Sequence, residues 1–290
     1  MRSLLFVPAD SARKLDRARH SGADALILDL EDSVVPANRS MARSQACAFL
    51  GSGGSAGFRR YVRINPLASG VALDDLVAVV PERPDGILLP KCLPEDVRTL
   101  DHYLSALEAA SGLAPGAIRV IAIATETPAA MLTLADHAKG GYAGVSARLE
   151  GITWGAEDLA AAIGGHNRRA DGSYGDVYRM ARSLCLLTAA AAEATPIDTI
   201  YTDFWDEKGL AAECAAARRS GFTAKMAIHP GQIPVINEAF SVTEEERSWA
   251  RKVVAAFAEH PDTGTLALDG KMIDRPDLTL ARRLLGLGPA

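Results

Sequence analysis

Ile118-Arg-Val-Ile-Ala-Ile-Ala-Thr-Glu126-Thr-Pro128 is an apolar run that breaks abruptly into an acid and a turn. A run of that length reads as a buried strand, so Glu126 emerges at the strand's carboxyl end. Gly151-Ile-Thr-Trp-Gly-Ala-Glu-Asp158-Leu159 repeats the pattern and delivers Asp158 in the same way, 32 residues further on. That spacing is about one strand-plus-helix unit of a barrel of roughly 250 residues. Two hard oxygen ligands on neighbouring strands then face one point, which suits a divalent cation that keeps positions open for substrate. The plainer alternative is a pair of helix-cap or surface acids.

Working outward, residues 3–8, 25–30, 60–64, 86–90, 120–124, 152–155, 199–202 and 224–228 read as short, turn-bounded strands. Segments with helical spacing lie between them, among them 11–20, 94–110 and 208–220. Strands alternating with helices pair in parallel, and the length suits closure into a (β/α)8 TIM barrel, with an open doubly wound sheet as the competing architecture. Polar residues follow successive strands in register: Glu31, Arg63, Lys91, Glu126 and Asp158, at intervals of 32, 28, 35 and 32 residues. In a barrel such strand ends converge on one face, where active sites form. The expected division is a barrel over residues 1–240 and a C-terminal lid extension over 241–290, with helices near 243–259 and 278–285. That tail reads as too small for a core of its own, so it is expected to pack on the barrel or on a neighbouring subunit.

Composition narrows the function. A formal net charge of −5 makes no electrostatic case for nucleic acid or an anionic membrane. Cys47, Cys92, Cys185 and Cys214 lack paired spacing, which points to reduced thiols in a cytoplasmic protein. The apolar start is too short for a signal peptide, and the Ala-rich stretch 184–194 is too short to span a bilayer. The Gly/Ser stretch 51–57 precedes a strand and lacks the Walker lysine, so it reads as a flexible connection rather than a phosphate loop.

Beside the metal candidates stands an acid cluster, Asp29, Glu31 and Asp32. A buried acid needs a partner, so Asp29 calls for a hydrogen bond or a nearby cation, while Glu31 and Asp32 suit water-mediated support of a metal. The Arg63 guanidinium can hold a carboxylate or ketone oxygen with two parallel donors, or pair with Asp29 or Glu31. Lys91 fits an electrostatic partner of the acids better than a Schiff-base nucleophile. His229 follows the last strand, where it can line the mouth or anchor its own loop. No nucleophile elbow appears.

Taken together, Arg2-Ser-Leu-Leu-Phe-Val-Pro-Ala9, Ala23-Asp-Ala-Leu-Ile-Leu-Asp-Leu-Glu-Asp-Ser-Val34, Val62-Arg-Ile-Asn-Pro66, Leu89-Pro-Lys91, Glu126-Thr-Pro128, Gly155-Ala-Glu-Asp-Leu159, Ile228-His-Pro-Gly-Gln-Ile233 and Gly270-Lys-Met-Ile-Asp274 resemble the citrate lyase β-subunit/malyl-CoA lyase family, nearly end to end and in order. The resemblance implies a TIM barrel that cleaves or forms a carbon–carbon bond in a 3-hydroxyacyl-CoA thioester such as malyl-, citramalyl- or citryl-CoA. By the same resemblance Glu126 and Asp158 bind Mg²⁺, with Mn²⁺ as its substitute, and Arg63 binds the 2-ketoacid portion. Asp274 matches the family's acid/base aspartate, on a segment that in relatives covers an adjacent subunit's site, which implies a homotrimer or hexamer. Phe6 and Arg17 match coenzyme A contacts. Glu157, Asp158, Ile228 and His229 match substrate-lining positions. Two alternatives accompany this expectation: a citrate lyase β subunit acting on a carrier-protein-bound citryl group, and a non-catalytic barrel subunit.

Overall fold

Eight strands, β1 (Ser3–Pro8), β2 (Ala25–Asp29), β3 (Arg59–Arg63), β4 (Gly86–Leu89), β5 (Arg119–Ile123), β6 (Leu149–Thr153), β7 (Thr195–Asp198) and β8 (Ala224–Ala227), pair in parallel in sequence order, and β8 closes on β1. The computed structural model describes residues 1–53, 57–138 and 147–287, so Gly54, Ser55 and Ala56 of the Gly/Ser connection lie outside the described residues. The expected (β/α)8 barrel is present.

Strand alternation sorts the apolar residues into two layers. Leu4, Ala25, Ile27, Tyr61, Leu88, Ile121, Ile123, Ile197, Ala224 and Met226 fill the barrel's interior. Their neighbours Leu5, Leu26, Leu28, Val62, Ile87, Val120 and Ala122 face outward and pack against the helices. Asp29 shares the inward face with Ile27, and Arg63 with Tyr61, so both side chains reach the barrel's carboxyl end.

Seven of the eight expected strands overlap their positions in the fold, and β7 does not. Its sequence, Thr-Pro-Ile-Asp, offers neither an apolar run nor an unbroken set of backbone donors. Ile197 packs in the apolar interior, and the other buried residue, Asp198, is held by polar and ionic partners. Asp198 accepts hydrogen bonds from Trp154 Nε1 at 2.8 Å, from Arg182 and from the fully buried Lys225 Nζ at 3.1 Å. Residues 199 and 200, expected inside the strand, instead follow it at the mouth.

The helices that matter for the mouth begin on strong local signals. In chain order the first helices are α1 (Ala12–Ala18), α2 (Arg39–Gly51), α3 (Ala72–Val79) and α4 (Pro94–Ala110). Next come α5 (Pro128–Thr133) and α6 (Ala156–Ile163). For α5, Thr127 Oγ1 accepts the Ala130 N–H at 3.1 Å and Pro128 takes the first helical position, so the chain turns immediately after Glu126. Glu157 and Asp158 occupy the first turn of α6, where the exposed N–H groups favour negative charge. The barrel unit is completed by α7 (Asp176–Ala191), α8 (Glu207–Ser220) and α9 (Ile233–Ala239).

The chain divides into two compact units, Met1–Phe240 and Ser241–Ala290. The second holds α10 (Glu244–Glu259), an antiparallel hairpin of β9 (Thr265–Leu268) and β10 (Lys271–Asp274), and α11 (Arg275–Leu284). The expectation that this tail lacks a core is corrected here: Ala250, Val253, Phe257, Ile273, Leu278 and Ala281 form a buried apolar cluster. The hairpin makes the cluster possible. Asp269 and Gly270 both adopt positive φ, 48° and 75°, the geometry of a two-residue turn that suits the strands' twist, and Ile273 thereby joins the helices' apolar faces. Among the described residues no helix is long and apolar enough to cross a membrane, and all four cysteines are free.

Candidate active site

A cavity of about 400 Å³ opens at the carboxyl ends of the barrel strands. Phe6, Asp29, Asp32, Arg63, Glu126, Glu157, Asp158 and Ile228, all singled out from the sequence, line it. The sequence reading missed Ile123, Thr153, Trp154, Thr199, Ile200 and Met226. Period-two alternation on β5, β6 and β8 carried a signal for Ile123, Thr153 and Met226. Thr199 and Ile200 were hidden by the misplaced β7.

Arg63 is held from two sides. Its Nε and Nη2 each lie 2.7 Å from an oxygen of Asp29, a bidentate fork, and its Nη1 faces Glu31 at 3.0 Å and Asp32 at 3.2 Å. Its Cζ stands 4.7 Å from the centroid of the Phe6 ring. Burial alone would raise the Asp29 carboxyl, yet the Arg63 fork outweighs it and holds Asp29 below the ordinary carboxylate range. Asp29 also accepts the N–H groups of Glu31 and Ser33, so this acid is a structural partner of the guanidinium. Both readings of Arg63 therefore meet in one side chain: an ion pair with Asp29, and a third nitrogen at the cavity.

Lys91 sits among the acids with an unusual backbone. Its φ of +49° is in the left-handed region, rare for a residue with a side chain. That turn aims its N–H at Glu126 Oε2, while its Nζ pairs with Glu31, with Asp158 at 3.1 Å and with Asp32 at 3.3 Å. Burial opposes the ammonium charge, but the Glu31 hydrogen bond and the surrounding carboxylates raise Lys91 above the ordinary lysine range. A lysine so charged at neutral pH is no nucleophile.

Glu126 is buried, and burial first, then Asp158, pushes its carboxyl well above the usual range. The Glu31 carboxyl, also chiefly by burial, is pushed up to about 7, and its Oε2 has the ion pair with Arg63 at 3.0 Å but no aligned hydrogen bond among the described residues. Among the described residues, Asp29, Glu31, Asp32, Glu126 and Asp158 here face Arg63 and Lys91, five acids against two cations. A divalent cation beside Glu126 and Asp158 relieves that imbalance, so the donor set fits Mg²⁺. Among the described residues no group of three or more His, Cys, Asp or Glu side chains forms a ready cage. Two carboxylates leave positions for water and substrate oxygens. The loop is built for this approach: a Cβ on Gly155 would lie 2.6 Å from Glu126 Cγ, and Gly155 N–H donates to Thr125 Oγ1 at 3.0 Å.

Two expected site residues of the barrel unit do not face the cavity, and a third belongs to the second unit. Arg17 is exposed on α1, outside the cavity lining. His229 anchors its own loop: its Nδ1 accepts the Gly231 N–H at 3.1 Å and its ring stacks on Phe204 at 5.0 Å. Asp274 lies in the second unit, where its Oδ1 accepts the Asp277 N–H and caps α11.

The model of the HpcH/HpaI aldolase/citrate lyase family matches residues 2–230. A (3S)-malyl-CoA thioesterase of Cereibacter sphaeroides is 34% identical over 100% of this chain and 95% of its own length. The mitochondrial citramalyl-CoA lyase of Mus musculus is 31% identical over 99% of this chain and 85% of its own. The crystal structure of CitE from Mycobacterium tuberculosis, in complex with magnesium, acetoacetate and coenzyme A, superposes with a TM-score of 0.76 at 32% identity, covering 98% of this chain and 97% of that one.

Proposed function

The chain belongs to the HpcH/HpaI aldolase/citrate lyase family, and on that premise we propose that it is a Mg²⁺-dependent carbon–carbon lyase, cleaving a 3-hydroxyacyl-CoA thioester into an acyl-CoA and a 2-ketoacid. The observation that carries the reading is the meeting of Glu126, Asp158 and the third nitrogen of Arg63 at one cavity. When bound there, Mg²⁺ would gather the substrate's carboxylate and hydroxyl oxygens and offset their charge.

The chain's own residues divide the remaining work. Glu126 and Asp158 would hold the cation. Lys91 orients both, through its N–H to Glu126 and its ammonium to Asp158. Arg63 Nη1 donates to the oxygen on which negative charge develops. As the carbon–carbon bond breaks, its electron pair passes to the thioester enolate and the hydroxyl proton passes to a carboxylate of the wall. Asp274 returns a proton to the enolate carbon. Because Asp274 belongs to the second unit, we propose that this unit serves the mouth of a neighbouring copy in a homotrimer or hexamer. Phe6, in the cavity, and Arg17, outside it, are the proposed coenzyme A contacts, and Glu157 and Ile228 line the acyl path. Substrate lining by His229 is the weakest of these roles, since its ring serves its own loop. The free cysteines support the proposed cytoplasmic location.

The test is a panel of malyl-, citramalyl- and citryl-CoA with Mg²⁺, with acyl-CoA, ketoacid and free coenzyme A quantified separately. Acyl-CoA and ketoacid in equal amounts, lost on chelation, are expected. Free coenzyme A with an intact hydroxyacid would identify a thioesterase instead. Silence with all three, but turnover of a carrier-protein-bound citryl group, would identify a lyase subunit, and silence throughout a non-catalytic barrel.

A further inference from the structure

The cavity wall divides by strand. The arc from β2 to β6 brings Asp29, Asp32, Arg63, Glu126, Glu157 and Asp158. The remaining arc, β7, β8 and β1, brings Thr199, Ile200, Met226, Ile228 and Phe6. Phe6, Ile200 and Met226 also pack on the barrel's interior apolar cluster, so this side of the cavity is continuous with the core. Among the described residues that line the cavity, Arg63 is the single cationic side chain. Asp29 already takes two of its three nitrogens.

On the lyase reading, on which this inference rests, the carbon bearing the hydroxyl also carries a carboxylate and one more substituent. That substituent is hydrogen, methyl or carboxymethyl, and it leaves in glyoxylate, pyruvate or oxaloacetate respectively. The carboxylate and hydroxyl use the cation site and Arg63 Nη1. The third substituent is left to the apolar arc. A carboxymethyl group would bring a second negative charge to a wall of Thr199, Ile, Met and Phe, with acids on the other flank and no second cationic side chain among the described lining residues, and a buried unpaired charge is costly. A methyl group gains burial there, and one such group is worth roughly 10–200-fold in discrimination.

We propose that this chain selects thioesters whose hydroxyl-bearing carbon carries a methyl group, releasing pyruvate, and rejects those carrying a carboxymethyl group, with Ile200 and Met226 as the specificity-determining residues. Two independent measurements on the full chain test it, so whatever the second unit brings to the mouth is present. The first is kcat/KM for citramalyl-, malyl- and citryl-CoA. The second is calorimetric binding of pyruvate, glyoxylate and oxaloacetate at fixed free Mg²⁺. The methyl-bearing thioester is expected to exceed malyl-CoA by about 10-fold or more, within the range one methyl group provides. Citryl-CoA should be the poorest, and pyruvate should bind more tightly than oxaloacetate. Ile200→Arg should raise citryl-CoA use relative to citramalyl-CoA, and the milder Ile200→Ala should narrow the gap between citramalyl- and malyl-CoA. Citryl-CoA used as well as the others, or oxaloacetate bound most tightly, would overturn the proposal while leaving the lyase reading intact. Silence with every thioester would sink the lyase reading, and the ketoacid binding order would still decide this one.

Discussion

Asp29 and Arg63 are register partners on β2 and β3, and two hydrogen bonds of 2.7 Å join the carboxylate to the guanidinium in a fork. The fork leaves Nη1 as the guanidinium nitrogen free of Asp29. Arg63→Lys keeps the charge but lacks the planar pair of donors, so it is expected to lower kcat by about 10²–10³, the range seen when one charge-stabilising donor is lost. Asp29→Asn removes the charged half of the fork and leaves the buried guanidinium to Glu31 and Asp32, so it is expected to cost stability, up to about 3 kcal/mol, the low end for a broken buried pair. Steady-state kinetics and urea unfolding read the two effects separately. An Arg63→Lys enzyme with unchanged kcat would remove Arg63 from the chemistry.

Gly155 offers a test of the cation site that leaves the ligands themselves in place. A methyl group there would sit 2.6 Å from Glu126 Cγ, so Gly155→Ala must displace the Glu126 side chain. Mg²⁺ affinity is expected to fall at least about tenfold, the scale of a disturbed ligand support. Metal titration by calorimetry checks it. Wild-type affinity in a folded Gly155→Ala protein would argue that Glu126 holds no cation.

Asp274 combines a proposed proton transfer with a visible structural duty, capping α11 through Asp277 N–H. Asparagine caps a helix about as well as aspartate but does not exchange a proton as a carboxylate does. Asp274→Asn is therefore expected to retain fold and Mg²⁺ binding while cleavage disappears. Loss of metal binding in that variant would reassign Asp274 to the cation site.

His137 governs an acid-side loss of stability. It is buried, neither ring nitrogen has a hydrogen-bond partner among the described residues, and burial lowers its pKa to about 4 against the nearby Glu95 and Asp136. In the unfolded chain the imidazole titrates near its ordinary value of about 6.5. Below that pH the unfolded state takes up a proton that the folded state refuses. The contribution of His137 to stability is thus level above pH ~6.5 and falls as the pH drops toward about 4, by up to about 3 kcal/mol. His137→Leu should flatten that part of the profile. Equal slopes for the two proteins, from unfolding curves at pH 7 and pH 4.5, would count against this assignment.

Part of this architecture was legible in the sequence because the signals are local. Apolar runs ending in Glu126 and Asp158, and the rhythm Glu31, Arg63, Lys91, Glu126 and Asp158, follow from strand and helix periods of a few residues, and they locate the mouth. The turn of the second unit was equally local, an Asp269-Gly270 pair between alternating residues, and was overlooked. Strand β7 shows the opposite case. The burial of its Asp198 depends on Lys225 and Arg182 meeting that carboxylate, and nothing within Thr195–Asp198 announces those partners.

The sequence by itself determined the eightfold alternation and the acids at its strand ends, since backbone geometry and side-chain polarity act over a single turn or strand. Only the tertiary structure decided what those acids do. It set Lys91 against Glu31, 60 residues away, and Asp29 against Arg63, 34 residues away, and it left Phe6, Ile200 and Met226 as an apolar arc facing the charged one. The reason is physical: a charge's partner and a cavity's lining are set by which strands closure brings together, and closure is a property of the whole barrel.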